Sequence, residues 1–277
     1  MKKIGFIDYY LDEWHANNYP DMIKKAYPGE FEVSYAFGLI DSPKGGMTNR
    51  SWAEKNGITL CESIEELVEK SDYLTVLSPD NSEMHEELCK IPLKSGKNTF
   101  VDKTFAPTRE IAERIFDYAD KNGTKCYSSS AVPFADEYKK MPSDIKHITS
   151  FGGGVYNIYA VHQIEPILAL TGGKVAKIMY QGGTNVFKYA VVLEDGRTAD
   201  LNFLNCDMPF SMHVLTDKNK VSYTEIQSDF FGNAIRAMLD FFKTGEIPVS
   251  HERTLNTMSA IECLIKAHEK PFTWIDA

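Results

Sequence analysis

Eight consecutive residues near the start of the chain, Asp8-Tyr9-Tyr10-Leu11-Asp12-Glu13-Trp14-His15, carry three carboxylates, one imidazole and three aromatic rings. Asp12 and His15 are two neighbouring metal-ligand types, too few for a site, so no metal is expected. Asp102-Lys103 sets a carboxylate beside an ammonium directly after an apolar run, and Ser78-Pro79-Asp80 with His85 follows another. His162 and Glu165 are three residues apart, which puts them on one face of a helix. An imidazole titrates near neutral pH and suits proton transfer. Pro166 favours a first helical turn, which would set His162 near a helix start. Ser128-Ser129-Ser130 lies outside any G-x-S-x-G elbow, so serine hydrolysis is not expected; hydrogen bonding at the mouth of a ligand cleft is.

The elements that must position these groups alternate in the first half. Apolar runs predict strands at Lys3 to Asp8, Phe31 to Phe37, Asp72 to Leu77, Thr99 to Asp102 and from Lys125. Helical patterns lie between them at Ala16 to Ala26, Ser63 to Lys70, about Asn81 to Cys89, and Thr108 to Asn122. This rhythm predicts an α/β, Rossmann-type, doubly wound parallel sheet. Past residue 127 consecutive strands are expected at Lys174 to Gln181, Thr184 to Leu193, Thr198 to Asn205, Phe210 to Leu215 and Lys220 to Thr224. Helices at about Asp229 to Phe242 and Arg253 to His268 close the chain. That pattern predicts an α+β domain with an open, mainly antiparallel sheet. The expected division is a nucleotide-binding-type domain over 1–127 and an open-sheet α+β domain over 128–277.

In a doubly wound sheet ligands sit beyond the carboxyl ends of the strands, where Asp8 to His15, Ser78 to His85 and Asp102 to Thr108 fall. A dinucleotide site usually carries G-x-G-x-x-G after the first strand. Here those glycines are absent and carboxylates stand in their place. Tyr9, Tyr10 and Trp14 are either core aromatics or a stacking wall that replaces them. The net charge of −9 argues against nucleic acid and anionic membrane as partners. No apolar run approaches a membrane span. Five dispersed cysteines, without C-x-x-C, read as reduced thiols of a cytoplasmic protein.

Asp102-Lys103-Thr104 resembles the Glu/Asp-Lys-Pro hallmark of the Gfo/Idh/MocA oxidoreductases. Ser78-Pro79-Asp80-Asn81 with His85 resembles that family's preceding loop. Gly152-Gly153-Gly154 through Glu165 resembles the stretch bearing its catalytic histidine, and Phe241 to Val249 its C-terminal pattern. Leu11-Asp12-x-x-His15 looks like a divergent branch. The resemblance implies hydride transfer between NAD or NADP and a sugar-like or polyol substrate. Lys103 would stabilise the substrate oxygen, His162 would take the proton, and Glu165 would orient the imidazole or bind a second hydroxyl. Asp8, Tyr9, Asp12, Trp14, His15, Ser78, Pro79, Asp80, His85, Asp102 and Lys103 would line the cofactor. The resemblance assigns substrate binding and dimerisation to the domain over 128–277, and a homo-oligomer, dimer or larger, is the family expectation.

Several positions depart from the family pattern. Ile158 stands where an Asp commonly precedes the histidine, and Thr104 replaces the proline. No carboxylate ends the second strand; Lys44 or Arg50 would instead meet a 2′-phosphate. The alternative these departures leave open is a non-catalytic ligand-binding or sensor protein on the same scaffold.

Overall fold

The computed structural model describes residues 1–43 and 45–277, so Lys44 lies outside the described residues. Two compact units form: residues 1–129 with 234–251, and residues 130–233 with 252–277.

In the first unit six strands pair in parallel, in the order β3-β2-β1-β4-β5-β6. They are β1 (Lys2–Asp8), β2 (Phe31–Gly38), β3 (Thr59–Leu60), β4 (Tyr73–Val76), β5 (Thr99–Val101) and β6 (Cys126–Tyr127). The order reverses at β1, so the crevice for a ligand opens beyond β1 and β4. The connecting helices are α1 (Trp14–Ala26), α2 (Asn49–Asn56), α3 (Ile64–Lys70), α4 (His85–Cys89) and α5 (Arg109–Lys121). Local chemistry sets their ends. Ser63 accepts from the Glu66 amide at 3.2 Å and Thr108 from the Ile111 amide at 3.3 Å, capping α3 and α5. Ala112, Ile115, Phe116 and Ala119 form the buried stripe of α5.

The second unit is built on a sheet of order β12-β11-β7-β10-β9-β8-β13, in which only β7 and β10 are parallel. Its strands are β7 (Ile145–Gly153), β8 (Val175–Tyr180), β9 (Val186–Leu193), β10 (Thr198–Leu204), β11 (Ser211–Thr216), β12 (Val221–Glu225) and β13 (Trp274–Asp276). Tyr189, Val191 and Leu193 alternate with more exposed neighbours along β9, as do Ala199, Leu201 and Phe203 along β10. One face is therefore core and the other is wet. The buried residues of α6 (Tyr156–Thr171) and α8 (His251–His268) complete that core, and α7 (Phe230–Thr244) carries the chain back into the first unit.

Four elements are not anticipated from the sequence: α2, β3, β7 and β13. The first two are held from outside their own sequence. Trp52 is fully buried and donates its indole N–H to Asn17 at 2.8 Å, while β3 is a two-residue strand paired in parallel beside Tyr35 and Ala36 of β2. Pro166 does not begin a helix; it lies well inside α6. Burial of Ile164, Ile167 and Leu168 outweighs the hydrogen bond that the proline denies to the His162 carbonyl.

Gly5 marks the tightest packing of β1. A Cβ there would lie 2.4 Å from Leu67 Cδ2 and 2.5 Å from Ser71 Oγ, in a layer where Leu67 is fully buried. Gly5→Ala should cost about 1–3 kcal/mol by overpacking, read as a lower urea midpoint with an unchanged slope.

Candidate active site

In the first unit the carboxyl ends of β1, β4 and β5 bring together most of the sequence-selected residues. Asp102 follows β5 and is 1% exposed. One of its oxygens pairs with His15 Nδ1, and the other accepts from the Lys103 backbone N–H at 2.7 Å. Burial works to raise the Asp102 pKa, but the charge and hydrogen bond of His15, together with Lys103, outweigh it and hold the carboxyl below its ordinary value. His15 stacks on Tyr19 with ring centroids 4.8 Å apart. The Lys103 ammonium donates to the Pro79 carbonyl at 3.3 Å, which ties the β5 loop to the β4 loop. The Lys103–Thr104 peptide is cis.

His85 is buried, with Nδ1 3.0 Å from the Phe105 carbonyl and Nε2 2.6 Å from the Leu77 carbonyl. Burial keeps its pKa below the ordinary imidazole value. It is a tie between the same two loops, placed beneath them. Ser78 adopts a φ of 84° at the end of β4, a left-handed conformation that costs a serine about 1–3 kcal/mol. Its hydroxyl donates to the Asn81 carbonyl at 3.1 Å and helps hold that turn. Asp80 is exposed at the same turn.

The turn from β1 to α1 answers where the carboxylates go. Asp12 faces the loop before α2, accepting from the Met47 amide at 2.8 Å and from Asn17 Nδ2 at 3.1 Å. Gly46 packs so closely there that a Cβ would meet Asp12 Oδ2 at 2.2 Å. Glu13 folds back onto the start of α1, where its two oxygens accept from the His15 amide at 2.6 Å and from the Ala16 amide. Burial, partly offset by His15, pushes the Glu13 pKa up to about 7. Asp8 is also raised well above the carboxylate range, by burial and by the charge of Glu13; its Oδ2 has no hydrogen-bond partner among the described residues. Tyr10 is buried as a core aromatic, Tyr9 is partly covered beside it, and Trp14 is 49% exposed.

Sequence reasoning did not single out Asn49. Its side chain donates to the Gly38 and Ile40 carbonyls at 3.0 and 2.7 Å and accepts from the Leu11 amide at 3.0 Å. A Cβ on Gly38 would collide with it, so the glycine ending β2 is the signal that could have revealed this stitch. A cavity of about 640 Å³ opens here at the carboxyl ends of β2 and β3, lined by Leu39, Asp41, Thr48, Arg50, Cys61 and Glu62 among others.

In the second unit a serine organises the site. Ser130 Oγ lies 2.7 Å from His162 Nδ1, and the Ser130 amide donates to Glu165 Oε2 at 2.6 Å. The Val132 amide donates to the same hydroxyl at 3.1 Å. Glu165 is buried and holds the backbone of Ser130. His162 sits mid-helix, its ring centroid 5.2 Å from Tyr159 and 5.7 Å from Phe210. Those two rings also line a cavity of about 370 Å³ that includes Gly153, Gly154, Asn205 and Asp207. The glycines exist for contact: a Cβ on Gly152 would meet the Phe210 ring at 2.6 Å, and one on Gly154 the Tyr159 ring at 2.5 Å. Ile158, 40% exposed, occupies the helix turn before His162.

The raised Glu13 pKa has a measurable sign. Folding shifts this acid from its ordinary 4.5 to about 7, so the folded state binds the proton more tightly. The cost is complete above about pH 7 and fades as pH falls toward the unfolded value. The Tm of the wild type minus that of Glu13→Gln should therefore grow in favour of the wild type from about pH 8 to about pH 5, by scanning calorimetry in matched buffers.

Residues 36–130 match the model of the oxidoreductase family with an NAD-binding Rossmann fold, GFO_IDH_MocA. By sequence, no curated protein matches the chain. Among solved structures, a probable dehydrogenase from Thermotoga maritima aligns with a TM-score of 0.81 at 13% identity, covering 99% of this chain and 98% of that one. Scyllo-inositol dehydrogenase from Lactobacillus casei, solved with NAD(H) and scyllo-inositol, aligns at 0.79 and 16% identity over 99% and 98%. Myo-inositol 2-dehydrogenase from Lactobacillus plantarum aligns at 0.78 and 11% identity over 99% of both chains. At such identities the structural likeness is one of fold. The matched segment carries Asp102-Lys103 and most of the parallel sheet, and over that third of the chain the protein is similar to the Gfo/Idh/MocA oxidoreductases.

Proposed function

We propose that the protein is a nicotinamide-dependent oxidoreductase that interconverts a hydroxyl and a carbonyl on a sugar-like or polyol substrate. The observation that carries this reading is His162, an imidazole held at Nδ1 by Ser130 beside a cavity walled by Tyr159 and Phe210. Aromatic faces suit the C–H face of a sugar or cyclitol, and Asn205 and Asp207 supply donors and acceptors for hydroxyls. Inositol dehydrogenases with this fold support a polyol of that kind.

A bound nicotinamide would supply the hydride acceptor or donor. The residues present fit such a cofactor by one test: the amides of His15 and Ala16 at the start of α1 already hold an anion, the Glu13 carboxylate. Arg50 in the β2–β3 cavity favours a 2′-phosphate, whereas Asp41 and Glu62 favour free ribose hydroxyls. Both NAD and NADP stay within the reading. Lys103 is a cation 8% exposed, fixed by Pro79, and would stabilise a developing alkoxide. His162 would take the hydroxyl proton, and Ser130 with Glu165 would keep the ring in place. Ile158 supplies no second carboxylate, so the proton work rests on the imidazole.

Screened with NAD and NADP against inositols, sugars and their keto forms, the protein should turn over at least one of them. Lys103→Met and His162→Ala should each lower kcat by roughly 10²–10⁴-fold with an unchanged circular dichroism spectrum. Ser130→Ala should lower kcat by a smaller factor and leave the cofactor Kd unchanged. Full activity in both Lys103→Met and His162→Ala would overturn the assignment.

A further inference from the structure

A pyrophosphate at the start of a Rossmann first helix needs backbone N–H groups and glycines that let it approach. Here the N–H groups exist, but both oxygens of Glu13 are on them: Oε2 on His15 at 2.6 Å and Oε1 on Ala16. Glu13 is 8% exposed, so its side chain is packed into the turn. Asp8 at the end of β1 and Asp102 after β5 face the same region, with His15 the compensating group.

We propose that Glu13 is an internal competitor of the cofactor: nucleotide binding requires its carboxylate to leave the α1 amides, and this residue sets the affinity for the pyrophosphate. The inference rests on the nicotinamide reading above. Two anions cannot share those two N–H groups, and a pyrophosphate arriving beside a resident carboxylate meets its repulsion as well. Asp12 does not enter this competition, because its oxygens are committed to Met47 and Asn17. The exchange is one of hydrogen-bond acceptors only; no bond is made or broken.

Glu13→Ser and Glu13→Asn test it, since both residues cap helices and preserve the start of α1. Calorimetric titration with NADH, and NMR titration with adenosine, which has no phosphate, would be run on the wild type and both variants. The expected result is an NADH Kd lower by roughly tenfold or more in the variants, with the adenosine Kd unchanged. Equal NADH affinities in all three proteins would overturn the role of Glu13 and leave the cofactor reading standing. A parallel gain for adenosine would also overturn it, because the effect would then be a general loosening. No NADH binding by any of the three at millimolar concentration would remove the cofactor reading and this inference together.

Discussion

Asp102 keeps its charge inside the first unit because both of its oxygens are met, one by His15 and the other by the Lys103 amide. Leaving a buried carboxylate without a partner is costly, so the first turn of α1 and the end of β5 cannot drift apart cheaply. Much of the geometry of the first unit follows from that pairing. It fixes the first turn of α1 against the end of β5, and thereby where the α1 amides point. It also sets the direction in which Lys103 leaves the strand, toward the Pro79 carbonyl. His85 adds a second tie under the same loops. The result is a rigid edge made from loops that the sequence separates by tens of residues.

Much of this architecture is legible locally. Apolar runs separated by amphipathic stripes reveal five of the six strands of the parallel sheet, and Ser63, Thr108 and Gly123 mark helix ends by their own chemistry. Elements held by distant partners are not legible. The α2 segment, Asn-Arg-Ser-Trp-Ala-Glu-Lys-Asn, has little amphipathic signal and depends on burying Trp52 and on the Asn49 stitch. Pro166 misleads for the same reason: the local rule for proline yields to the packing of α6.

The site divides in the same way. Lys103 and His162 stand out by motif. Glu13 is visible as one of the carboxylates after β1 but gets no role, because glutamate is not a favoured cap and the helix is expected from Ala16, two residues after its actual start at Trp14. Ser130 reads as a general hydrogen bonder, and only the fold joins it to both His162 and Glu165. Solved structures at 11% and 16% identity share the fold because apolar patterning tolerates extensive substitution. The departures at Glu13, Thr104 and Ile158 therefore carry more functional information than the drift across the core.

The most direct test of the account is a crystal structure of the protein grown with NADH. The expected structure has pyrophosphate oxygens on the amides of His15 and Ala16, the Glu13 side chain turned away, and Asp102 still joined to His15. A bound nucleotide with Glu13 unmoved on those amides, or a crystal that takes up no nucleotide at millimolar NADH, would contradict it.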